Sequence, residues 1–208
     1  MNSPRYVHLR LHSEYSVTDG IVRIGDAVKR AAGDGMPAMA VTDLGNLFGL
    51  VKFYSGARGK GVKPIAGADV WIANPESPDD AYRLLLLARN NAGYKQLCEL
   101  LSKAYLVEGR RDRAEINRDW FGEVGCDGLI ALSGAHLGDV GEALLNGNFD
   151  LAGQRAKAWE AIFPGAFYLE VQRYGQSQQE AIVQQMADLA GETGIPLVAT
   201  HPVQFMNR

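Results

Sequence analysis

Short apolar runs, set at intervals between stretches with helical periodicity, constrain this chain more than any other feature. The runs at 6–11, 38–42, 64–72, 82–88, 129–132, 167–171 and 197–200 read as strands. Their nearly unbroken apolar character fits strands covered on both faces. Between them, Ile24, Ala27, Val28 and Ala31 repeat at helical spacing before Gly33-Asp-Gly-Met-Pro37 ends the pattern. Leu97, Leu100, Leu101 and Ala104 mark a second helix, and Ala152, Ala156, Trp159 and Ile162 a third. Ile182, Met186, Leu189 and Ala190 mark a fourth, closed by Gly194-Ile-Pro196. Strand-then-helix alternation argues for a parallel α/β architecture. Seven strands with crossovers fit a barrel or an open sheet, and periodicity does not choose between them.

With 208 residues, 47% of them hydrophobic, the chain can bury one substantial core, and residues 1–208 are expected to form a single domain. A net charge of -3 and a pI near 5.8 argue against a module that grips nucleic acid through its phosphates. Cys98 and Cys126 lack metal-site or redox-motif spacing and read as reduced core thiols. The N-terminus carries no apolar leader, and the longest apolar run, 84–88, is far short of the ~18 residues that suggest a membrane span. A cytoplasmic protein with no membrane partner is expected. The chain stops at Gln204-Phe-Met-Asn-Arg208, directly after a strand-like run, which leads us to expect the N-terminal fragment of a much longer polypeptide. The mixed-sign cluster 108–115 reads as a solvated loop. Trp71, Trp120, Trp159 and the pairs Phe53-Tyr54 and Phe167-Tyr168 read as packing residues, lacking the adjacent basic residues of a base-stacking platform.

Polar residues fall at or just beyond several strand ends: His12, Asp43, Asp69, Glu170 and His201. In α/β barrels that rim is where chemistry is done, although a strand-end aspartate such as Asp43 also suits a helix cap. The first run carries His8-Leu-Arg10-Leu-His12, a two-residue series in which a permanently protonated guanidinium takes the middle position.

The ordered blocks VHLRLHSEYSVTDG, MPAMAVTDLGNLFGLVKFY, GVKPIAGADVWI, LLLLARNNAGYKQLCELLSKAY, GLIALSGAHLGDVG, FYLEVQRYG and IPLVATHPVQF resemble the polymerase-and-histidinol-phosphatase (PHP) domain. The likeness is greatest to the form found at the N-terminus of bacterial replicative DNA polymerase α subunits. It implies a distorted (βα)7 TIM-like barrel, whose metal-bearing members hold a trinuclear cluster at the mouth. Position by position, His12 matches a ligand histidine, Asp19 a ligand aspartate, and Asp69 stands where a glutamate is usual. The other ligand positions are filled by Arg10, Leu44, Arg83, Ala135, Pro202 and Gln204, and His201 falls where the pattern has asparagine. One histidine and two carboxylates would hold a single weak ion at most, so His12, Asp19 and Asp69 are the residual candidates, and a Zn or Mn cluster is not expected.

Arg10 and Arg83 read as substitutes for the metal charge, compensating Asp19, Asp69 and Asp43. The expected vestigial pocket is Arg10, His12, Asp19, Asp43, Asp69 and Arg83, with no catalytic residue in this chain and with His8 and His136 structural. By resemblance, the parent protein would be a DNA-directed DNA polymerase that uses Mg2+ at a separate site and meets DNA elsewhere in its chain. This domain would be a scaffold packed on the polymerase body and a docking site for the proofreading exonuclease subunit. The competing reading is a metal-dependent phosphoesterase or 3′–5′ exonuclease; a stand-alone phosphatase like histidinol phosphatase lacks the same ligands.

Overall fold

The computed structural model describes residues 6–107, 113–175 and 177–206. Six of the seven anticipated strands are present: β1 (Ala38–Val41), β2 (Lys63–Ile72), β3 (Tyr82–Ala88), β5 (Leu129–Leu132), β6 (Phe167–Gln172) and β7 (Leu197–Thr200). A two-residue strand, β4 (Glu115–Ile116), is too short to show a period and pairs with β2. The helices are α1 (Ile24–Gly33), α2 (Leu50–Gly59), α3 (Asn91–Leu106), α4 (Trp120–Val124), α5 (Asp139–Leu145), α6 (Phe149–Ile162) and α7 (Ser177–Thr193). The strands form one curled sheet in the order β1-β2-β3-β5-β6-β7.

The expectation of an all-parallel sheet is corrected at β3, which runs antiparallel to both β2 and β5. Residues 73–81 form no helix, so the chain turns straight back from β2 instead of crossing over. The reversal brings the start of β3, with Arg83, to the end of the sheet where its parallel neighbours finish. The anticipated first strand is also corrected. Residues 6–10 are extended without ladder pairing, and Leu11 makes a single bridge to Val203. A side chain interrupts the ladder there: the Leu11 amide donates to Thr42 Oγ1 at 3.0 Å rather than to a backbone carbonyl. The segment still lies between β1 and the stretch after β7, since Ala40 N donates to His8 O (2.8 Å) and His12 N to Val203 O (2.9 Å).

Alternation along the strands divides the interior. Ala68, Val70, Ile72, Leu84 and Leu86 face the helices and join the main core with Leu97, Leu100, Trp159 and Phe163. Ala40, Leu85, Leu87 and Leu132 face inward and form a second cluster inside the curl. Trp159 and Phe167 are buried as anticipated, but Tyr54 is exposed, Trp71 is only partly buried, and both cysteines are free and half-buried rather than core. Of the charged cluster 108–115, residues 108–112 lie outside the described residues, and Arg113 pairs with Glu115 at 2.5 Å.

The N-terminus of α3 is pinned to the β5 approach by one close contact. Asn90 caps it by accepting from Gly93 N at 2.9 Å, and a Cβ on Gly93 would sit 1.7 Å from the Gly128 carbonyl oxygen. Since neither backbone can yield cheaply, Gly93→Ala should cost about 1–3 kcal/mol. Urea unfolding checks this; an unchanged midpoint would mean the helix can shift without loss.

Candidate functional site

At the end of the curl where β2 and β6 finish and β3 begins, the inner-facing positions turn from apolar to charged. Arg10, Asp69 and Glu170 are 3%, 0% and 0% exposed. Arg10 grips Glu170 with both prongs, Nε to Oε1 at 3.0 Å and Nη2 to Oε2 at 2.9 Å, while its Nη1 donates to Asp69 Oδ2. Arg83 reaches Asp69 from the other side, Nε to Oδ1 at 3.2 Å and Nη2 to Oδ2 at 2.5 Å. Its guanidinium lies 4.4 Å from the centre of the Trp71 ring, its cross-strand partner. Planar guanidinium forks suit this bidentate pairing, and an ammonium would not reproduce it.

His12 extends the network toward solvent. Its Nδ1 lies 2.8 Å from Asp19 Oδ2 and its Nε2 lies 3.1 Å from Asp69 Oδ2. Asp19 also accepts from Ser16 Oγ at 2.7 Å and from Gln204 Nε2 at 3.2 Å. Behind Arg10, Glu170 is saturated with donors: Thr200 Oγ1 at 2.5 Å, Gln172 Nε2 at 3.2 Å and the Gly134 amide at 3.1 Å. A cavity of about 520 Å³ opens over the network, lined by Arg10, His12, Asp19, Asp69, Arg83 and Gln204 among others.

Five of the six anticipated pocket residues are thus brought together. Asp43 is the correction: it accepts from Ser13 N (2.6 Å) and Ser13 Oγ (3.0 Å), tying the N-terminal segment to the end of β1, and contacts neither arginine. Burial raises its pKa, partly offset by those Ser13 bonds. The expectation that an arginine bonds Asp19 directly is corrected too: His12 makes that contact, and Arg83 helps lower the Asp19 pKa only through space. The residue left out of the pocket is Glu170. Its signal was present, since it is the lone carboxylate in the strand FYLEVQ, two places from Gln172 on the same face. His201 lines the cavity edge-on to Tyr174 at 6.1 Å. His8 and His136 each have a buried Nδ1 without a hydrogen-bond partner among the described residues. His136 lies near enough to Arg10 and Glu170 to feel both charges, but burial dominates and lowers its pKa.

Electrostatics follow from this wiring. Burial alone would raise the Asp69 carboxyl, but Arg10, Arg83 and His12 outweigh it and hold it far below the ordinary carboxylate range. Burial likewise opposes the charge on Arg10, and Asp69 and Glu170 more than offset that. For His12, burial is overcome by the bonds to Asp19 and Asp69, which raise its pKa. Asp19 is lowered by His12 despite burial. With both ring nitrogens facing carboxylate oxygens, imidazolium is the form that donates to each.

These shifts predict the pH profile of stability. Because the folded pKa of Asp69 is depressed, its contribution is complete above the unfolded value of about 4 and shrinks as pH falls below it. Because that of His12 is raised, its contribution is complete below about 6.5 and shrinks as pH rises toward the folded value. The combined contribution of these two groups should therefore be complete between roughly pH 4 and 6.5. The lowered His8 and His136 act in the opposite sense as pH falls below about 6.5. His12→Asn should flatten the alkaline limb. An alkaline limb identical in the variant would remove His12 from the account.

The residues present do not fit a divalent metal cluster. Arg10, Arg83 and protonated His12 already balance Asp69, Glu170 and Asp19, so an added ion would bring uncompensated charge. Both His12 nitrogens are committed, and among the described residues no three His, Cys, Asp or Glu side chains come together to hold an ion.

A curled α/β sheet with two arginines, a histidine and three carboxylates wired together on its inner rim defines a class of domain. The chain belongs to the PHP domain family, which it matches over residues 8–174. It is 50% identical over 210 residues to the DNA polymerase III subunit alpha of Neisseria meningitidis serogroup A, covering 100% of this chain and 18% of that protein. The subunit alpha of Pseudomonas aeruginosa is 45% identical over 203 residues (98% and 17% covered), and that of Escherichia coli K12 44% over 207 residues (100% and 18%). The chain therefore spans under a fifth of the length of these relatives. Its fold resembles that of a Bifidobacterium adolescentis protein described as a metal-dependent phosphoesterase, with TM-score 0.59, 10% identity, and 100% and 91% of the two chains covered. It also resembles an amidohydrolase from Chromobacterium violaceum with bound sulfate and no metal, with TM-score 0.61, 15% identity, and 95% and 87% covered. No helix among the described residues is long and apolar enough to cross a membrane.

Proposed function

We propose that this chain is the PHP domain of a cytoplasmic replicative DNA polymerase α subunit, kept as a scaffold and a docking site for the proofreading exonuclease, without metal-dependent hydrolysis of its own. The observation that carries the reading is the pair of guanidiniums on Asp69, the carboxylate expected to hold metal in hydrolytic members. Fixed positive charge there does the electrostatic work of ions and leaves no site for an activated water. Likeness across the whole chain to three polymerase subunits supports the parent assignment. In the same reading, segment 8–13 closes the curled sheet into a distorted (βα)7 barrel, since it bonds to β1 on one side and to residue 203 on the other. DNA synthesis, with its Mg2+ and DNA contacts, would belong to the remainder of the polymerase.

Two measurements test this. Metal analysis of the full chain purified without chelator should return well under one divalent ion per chain, with a melting temperature indifferent to chelator. The proofreading exonuclease subunit should bind the chain in a pull-down or by calorimetry. Phosphodiesterase activity lost with chelator and with His12→Ala would instead establish the metal-dependent phosphoesterase or exonuclease.

A further inference from the structure

The inner face of the curl is charged at one end and apolar at the other. Leu9, Ile65, Ile130, Tyr168 and Val198, from five neighbouring segments, pack beneath the buried layer of Ala40, Leu85 and Leu132. All five remain partly exposed and line an open cavity of about 450 Å³. That end of an α/β barrel ordinarily serves stability and is filled, so five large apolar side chains left facing water call for an occupant. Lys63, opening β2, and Arg89, just beyond β3, stand exposed at the rim. Among the described residues neither makes an ion pair, and no carboxylate lines the cavity.

We propose that this cavity binds a small amphipathic anion, with its hydrocarbon or aromatic body on the five-residue floor and a carboxylate or phosphate head between Lys63 and Arg89. An apolar concavity with few polar groups placed at the edge is the usual form of a small-molecule site. Removal of apolar surface from water supplies the affinity, and the two cations supply orientation and selection against neutral or positive ligands. The site lies at the opposite end of the sheet interior from the ionic network and does not depend on how that network is read.

Octanoate and octanol, identical in chain length and different in charge, test it by calorimetry on the full chain. Octanoate should bind saturably at one site, about tenfold more tightly than octanol. Reversal of both rim charges, Lys63→Glu with Arg89→Glu, should weaken octanoate about tenfold and leave octanol unchanged. Both side chains are exposed, so folding is not at risk, and the melting temperature verifies it. Val198→Trp, which fills the floor, should abolish both; if that variant misfolds, the charge reversal decides alone. Absence of saturable octanoate binding, or octanoate binding indifferent to the charge reversal, overturns the proposal.

Discussion

Asp69→Ala should cost this protein about 3–5 kcal/mol of folding stability, the range for breaking a buried ion pair from one side. Asp69 is the hub of the mouth: fully buried, it accepts from Arg10, Arg83 and His12. Its removal strands cationic side chains in a site where water cannot solvate them. Glu170 holds two prongs of Arg10 but makes no contact with Arg83, so it cannot absorb the excess charge. For a chain of this size the loss corresponds to a fall in melting temperature of roughly 6–20 °C. Asp69→Asn keeps the shape and one acceptor oxygen but loses the charge and turns an NH2 donor toward a guanidinium, and should fall between wild type and alanine. Denaturant unfolding of the three proteins measures the series; a loss under about 1 kcal/mol for alanine would show that the charges relax into solvent.

Arg10→Ala should be the costlier of the two arginine truncations, again at about 3–5 kcal/mol. Arg10 bridges two carboxylates whose side chains are 1% and 0% exposed, whereas Arg83 bonds one carboxylate directly, Asp69. With Arg83 removed, Asp69 keeps Arg10 and His12. With Arg10 removed, Glu170 keeps only neutral donors: Thr200, Gln172 and the Gly134 amide. Pairing the truncation with Glu170→Gln should recover part of the loss, because deleting both charges is milder than deleting one. Equal effects of Arg10→Ala and Arg83→Ala would contradict the bridging role. A double variant no better than Arg10→Ala would place the cost in lost packing rather than stranded charge.

The largest local effects thus sit on residues whose types were readable in the chain but whose partners were not. Six strands and four helices were visible because apolar period and burial are local properties. The helices missed from spacing were α2, α4 and α5. α4 and α5 are short, and α2, although as long as α1, buries only Phe53 and Ala57, too few positions to set a period. At the mouth, the family resemblance led us to expect Arg10 to stand in for metal charge beside carboxylates that included Asp69, and the two are paired. Asp43 was equally acidic and equally near a strand end, and the structure assigns it to Ser13 instead. Nothing in local sequence distinguishes a carboxylate that caps a neighbouring backbone from one that meets a guanidinium.

The ligand outline was an expectation from the family resemblance; from residue order alone came the α/β class and the presence of polar and cationic residues at the strand ends. Those follow from side-chain chemistry and from periodicity within each element. The direction of β3, the recruitment of Glu170 and the exit of Asp43 came only with the tertiary structure. Each depends on which strand lies beside which, and through-space neighbours 59 and 160 residues apart, as for Arg10 with Asp69 and Glu170, are chosen by the packing of the whole sheet.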